Sequence, residues 1–136
     1  KPIPLLKDLI TISKNKHSLF IEIKPNFSNK LLKKLLKETS KFSKCVFISF
    51  KHKNIYNLLK IKSNIKVGLS FSPPTSVKTI IKKSNNKKIN CLVLDKFFFK
   101  NKNIQDLKIK KYYYTIKTKS EFRKYSKNYN LIFENL

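Results

Sequence analysis

The stretch Ser18-Leu-Phe-Ile-Glu-Ile-Lys24 is apolar and β-branched up to its end, where a carboxylate and an ammonium stand two residues apart. That composition predicts a strand. Side chains alternate along a strand, so Glu22 and Lys24 share one face and Ile21 and Ile23 the other. Five further runs read in the same way: Cys45–Phe50, Ile65–Phe71, Ile89–Leu94, Lys111–Ile116 and Tyr129–Phe133. Most are near-continuously apolar, as strands covered on both faces of a parallel sheet are.

Lysine-rich segments with helical periodicity separate these runs. Leu31, Leu32, Leu35 and Leu36 place one apolar stripe on a helix from Ser28 to Lys41, with Ser28 as its N-cap. Ile55, Leu58, Leu59 and Ile61 form a second stripe. Pro74, ahead of Val77, Ile80 and Ile81, opens a third helix, and Ile3–Ile10 reads as a helix entered through Pro4. Phe97-Phe-Phe99 reads as a loop-like cluster. Strands recurring about every twenty residues have the cadence of repeated βα units.

The expected fold class is therefore α/β, and the 136 residues form one domain with no linker or shift in composition. A dinucleotide-binding fold would need a glycine-rich turn, and the chain has one glycine. A complete (β/α)₈ barrel needs about 250 residues. The expectation is a TIM-type barrel truncated to about six βα units.

Composition excludes several classes. Hydrophobic residues make up 40% of the chain, which argues against disorder. No apolar run is long enough to form a transmembrane helix. Cys45 and Cys91 lie far apart without metal-ligand spacing and read as small buried hydrophobes. The net charge of +25 invites a nucleic-acid reading, yet Arg123 is the one arginine among 32 basic residues. Base readers and phosphate clamps favour the arginine fork. The lysines are spread along the chain, alanine is absent, and Asn, Ile, Phe and Tyr abound, which together point to compositional drift. No specific nucleic acid is expected as a partner. With nothing resembling a signal peptide present, the expected location is cytoplasmic.

The pair Glu22 and Lys24 is the sharpest chemical signal. On the inner face of a barrel at the carboxyl rim, such a pair carries a desolvation penalty unless it holds a ligand or closes the barrel end as an ion pair. The sequence order resembles that of the glycerophosphodiester phosphodiesterase family. Ile3-Pro-Leu-Leu-Lys-Asp-Leu-Ile10 and Ile21-Glu-Ile-Lys24 are similar to family motifs, and so are Val46-Phe-Ile-Ser-Phe-Lys-His52 and Ile65-Lys-Val-Gly-Leu69. Tyr114-Thr-Ile-Lys117 stands where the family has W-T-V-N, with Lys119–Arg123 as a helix start. Leu131-Ile-Phe-Glu134 resembles the closing motif.

The resemblance covers the whole chain and implies a metal-dependent phosphoric diester hydrolase of lipid metabolism. It would cleave small-molecule glycerophosphodiesters to an alcohol and glycerol 3-phosphate, with Mg or Ca as cofactor. It assigns Glu22 as a metal ligand, Lys24 as the catalytic, phosphate-contacting residue, and Tyr114 as a substrate-binding aromatic in place of tryptophan. Lys117 for asparagine and Glu134 for aspartate are departures that touch glycerol recognition. The family's H-R-G, E-x-D and H-D motifs map upstream of Lys1, so the expectation is a domain lacking its N-terminal catalytic segment and inactive alone. His17 lies at the amino end of its strand and His52 at a helix entry, so neither replaces the missing acid and base. A basic nucleic-acid-binding protein and a catalytically dead barrel scaffold are the competing readings. Glu22 and Lys24 are expected near Ser49, Ser70 and Tyr114.

Overall fold

The computed structural model describes residues 2–13 and 16–136. Six strands follow one another in chain order within one sheet. The chain divides into two compact units, Lys1–Lys66 and Val67–Leu136.

In the first unit, helix α1 (Leu6–Ser13) precedes strand β1 (Leu19–Glu22), and helix α2 (Asn29–Glu38) leads to strand β2 (Cys45–Ser49) and helix α3 (His52–Ile61). Helix α1 begins later than Pro4 because the Asp8 carboxylate accepts the Leu5 N–H at 3.0 Å, making Leu5 the cap. Ser28 caps α2 as expected, accepting the Leu31 N–H at 3.3 Å. That helix stops at Glu38, short of Lys41, where the Thr39 hydroxyl donates back to the Leu35 carbonyl at 2.9 Å. Leu32 of α2 and Ile55 and Leu58 of α3 are fully buried, and β2 is buried at every position but Val46. Strands β1 and β2 pair in parallel with Glu22 opposite Ile48. Exposure alternates along β1, so Phe20 and Glu22 are exposed and Leu19 and Ile21 are half-covered.

In the second unit, strands β3 (Lys66–Phe71), β4 (Cys91–Asp95), β5 (Lys110–Ile116) and β6 (Asn130–Phe133) run parallel. Helix α4 (Val77–Ser84) follows β3, and helix α6 (Lys119–Tyr125) joins β5 to β6. Pro74 does not open α4. Ser76 does, because its hydroxyl accepts the Thr79 N–H at 3.2 Å, a bond that proline cannot provide at a cap. The Phe97–Phe99 stretch is not a loop but the middle of a 3-10 helix, Lys96–Lys100, followed by the short helix α5 (Lys102–Gln105). Phe98 and Phe99 turn inward, and Phe97 alone of the three is exposed. The Phe99 ring stacks on Tyr125 at 4.5 Å and lies 4.7 Å from Tyr113. Aromatic packing of this kind adds about 1 kcal/mol per pair to area burial. Central strands β3 and β4 are buried almost throughout, as their near-continuous apolar sequence demands.

Candidate active site

The side chains that could carry chemistry gather at the carboxyl ends of the strands, the end where loops supply sites in parallel βα folds. In the first unit β1 ends at Glu22, and Lys24 lies just past it. Both side chains are exposed and Ile23 between them is buried, so the alternation expected from sequence holds. Exposure removes the desolvation penalty expected for this pair: water solvates both charges.

Ser49 does not join Glu22 and Lys24. Glu22 sits opposite Ile48, so Ser49 shares the face of Ile23, under α3. There its hydroxyl donates to the Ile23 carbonyl at 2.5 Å and accepts from the Lys51 N–H at 3.1 Å. Asn54 of α3, 2% exposed, completes this group. Its Nδ2 donates to the Pro25 carbonyl at 2.8 Å and to Ser49 Oγ at 3.3 Å, and its Oδ1 accepts the Phe27 N–H at 3.0 Å. Sequence reading passed over Asn54, since an asparagine within a helical lysine-rich run carries no periodic signal. His52 opens α3, half-buried, and His17 is exposed two residues before β1. His17 is thus at the amino end, where sequence placed it.

In the second unit Ser70, Asp95 and Tyr114 share one face. Ser70 pairs with Val93 and Asp95 with Tyr114, and alternate positions along each strand face the same way. Tyr114 is half-buried, and its hydroxyl donates to the Phe71 carbonyl at 2.7 Å, so the phenol is engaged and the ring face is what it can offer. Asp95 accepts the Phe97 N–H at 2.8 Å. It was missed from sequence, although the signal was the one that singled out Glu22: a carboxylate closing an apolar strand. Lys96 and Glu121 pair at 2.7 Å, and the lysine hydrogen bond holds the Glu121 carboxyl below its usual range. Lys117 and Glu134 are exposed.

A cavity of about 220 Å³, lined among others by Thr39, Phe42, Cys45, Phe47 and Asn64, opens at the amino end of β2. It lies at the wrong end of the strand for Glu22 and Lys24, and burial pushes the Cys45 thiol up to about 11, which keeps that thiol protonated at neutral pH.

A hard cation such as Mg or Ca needs six or more oxygen ligands, several of them carboxylates or waters held in place. Among the described residues no group of three or more histidine, cysteine, aspartate or glutamate side chains could hold one. Glu22 is one exposed carboxylate, so the described residues do not by themselves complete a site for such a cation.

No protein-family model matches the chain, and no curated protein matches it in sequence. Solved structures do match. The Oleispira antarctica phosphodiesterase in complex with the product sn-glycerol-3-phosphate superposes with a TM-score of 0.78 at 19% identity, over 96% of this chain and 56% of that one. The Thermotoga maritima glycerophosphodiester phosphodiesterase gives 0.73 at 16% identity, over 96% of this chain and 59% of that one. The chain has the fold of part of a glycerophosphodiester phosphodiesterase. Its six parallel strands are those of a TIM-type barrel cut short, and the chain spans a little over half the length of these two enzymes.

Proposed function

We propose that the chain is the phosphate-binding portion of a phosphoric diester hydrolase that cleaves small-molecule glycerophosphodiesters to an alcohol and glycerol 3-phosphate. The observation that carries this reading is the position of Lys24: an exposed ammonium just past the carboxyl end of a parallel strand, in a fold shared with an enzyme that holds sn-glycerol-3-phosphate. In the reaction, water attacks phosphorus and the phosphorus–oxygen bond to the alcohol breaks, leaving glycerol 3-phosphate. Lys24 would neutralise the non-bridging oxygens as charge grows on them. Glu22, on the same face, would orient the attacking water or a glycerol hydroxyl by accepting a hydrogen bond. A cytoplasmic location belongs to the same proposal and is supported by two free, buried cysteines.

The test is titration of the chain with sn-glycerol 3-phosphate, followed by ³¹P NMR or calorimetry. Saturable binding is expected, weakened about tenfold or more by Lys24→Ala, the loss of one charge-assisted phosphate contact. Lys24→Arg should keep much of the affinity. Absence of binding, or equal affinity for Lys24→Ala, overturns the reading.

A further inference from the structure

We infer that Ser49 and Asn54 are positioning residues for Lys24, an inference that rests on the phosphate-binding reading of that lysine. Lys24 occupies the second position beyond the paired end of β1, where a chain is ordinarily free to move. Here the backbone is held on both sides of it. Ahead of Lys24, the Ile23 N–H donates to the Ile48 carbonyl at 2.9 Å and the Ile23 carbonyl accepts the Ser49 hydroxyl. Behind it, the Pro25 carbonyl accepts Asn54 Nδ2 and the Phe27 N–H donates to Asn54 Oδ1. Asn54 also donates to Ser49, so the two side chains form one unit anchored in β2 and α3. Pro25 fixes its own φ and holds Lys24 in an extended conformation.

Each polar atom of this unit that reaches the loop bonds backbone and none bonds the Lys24 side chain, so the group fixes where the ammonium starts from and leaves the ammonium free for a ligand. Asn54 is 2% exposed and Ser49 is 0% exposed. At that burial their bonds are shielded from competing water. A buried amide whose bonds go to a carbonyl and an N–H of a surface loop and to Ser49 has no packing purpose that leucine would not serve better. Its geometry is that of a clamp.

The experiment is a double-mutant cycle read by affinity for sn-glycerol 3-phosphate, with amide exchange at Phe27 as the measure of clamping. Asn54→Ala and Ser49→Ala should each raise Phe27 exchange and weaken binding about tenfold, the scale on which misplacing a binding group acts. Lys24→Ala should cost much less affinity in the Asn54→Ala background than in the wild type, because an unplaced lysine has little left to lose. Ser49→Thr, which keeps the hydroxyl, should restore binding. Circular dichroism identifies any variant that does not fold. If Asn54→Ala is one, Ser49→Ala decides, since it removes the bond to the Ile23 carbonyl and the Ser49–Asn54 bond that anchors the amide. Wild-type affinity in a folded clamp variant whose Phe27 exchange has risen, or full additivity with Lys24→Ala, overturns this inference and leaves the proposed function standing. Failure of the wild-type chain to bind at all overturns both.

Discussion

Cys45 and Cys91 show how far a side chain's chemistry is set by its surroundings. Both open strands, both are buried, and burial pushes each thiol up to about 11 from a usual 9.0, slightly opposed at Cys91 by the nearby Lys110 charge. The neutral thiol is the form a low-dielectric core tolerates. The folded value lies above the unfolded one, so the stabilising contribution is complete below pH 9 and is lost as pH rises from there through about 11. At pH 7.5 the native chain should react with iodoacetamide far more slowly than the chain in urea, and its melting temperature should decline between pH 9 and 11. Equal alkylation rates in the two states would contradict the burial. Sequence alone read both residues as small hydrophobes, which is what they are.

Helix boundaries, at the next scale, were decided by single hydrogen bonds that periodicity does not reveal. The apolar stripes of α2, α3 and α4 were plain in the sequence because 3.6-residue spacing survives any shift of ends. Pro74 looked like a helix start because proline suits a first turn. Ser76, two residues later, satisfies an orphan N–H, and that bond sets the start. Ser76→Ala should therefore lower stability by about 1 kcal/mol, measured by urea denaturation, whereas Pro74→Ala should change it by much less. A larger effect at Pro74 than at Ser76 would show that the ring, and not the cap, sets the start of α4. The Phe97–Phe99 stretch was misread for a related reason. Three consecutive aromatics have no helical or strand period, and only the ring partners Tyr113, Tyr125 and Tyr129 explain why Phe99 is inside.

For the molecule as a whole, the dominant quantity is its net charge of +25. Lysines occur in both units, as on α2 at Lys30, Lys33, Lys34 and Lys37 and on α4 at Lys78, Lys82 and Lys83, all but Lys83 exposed. A field built from scattered ammonium groups attracts polyanions without reading them. The chain should bind unrelated DNA duplexes and heparin with similar, weak affinity, and log K should fall linearly with log salt concentration. Preference for one DNA sequence that persists at high salt would contradict this and favour a nucleic-acid function.

The number of strands, their parallel kind, the helices between them and the shared face of Glu22 and Lys24 followed from the sequence by itself. The helices and the shared face rest on local repeats, of 3.6 residues in a helix and two in a strand, and the parallel strands on short, near-continuous apolar runs. The tertiary structure alone decided three other things. Register placed Ser49 on the hidden face with Ile23 and away from Glu22, because pairing Glu22 with Ile48 fixes every later residue of β2. Long-range hydrogen bonds made Asn54 the holder of a loop 27 and 29 positions earlier in the chain. Exposure left the charged pair in water, where it needs no partner to be stable. All three depend on residues far apart in sequence meeting in space, and a one-dimensional pattern holds no record of such meetings.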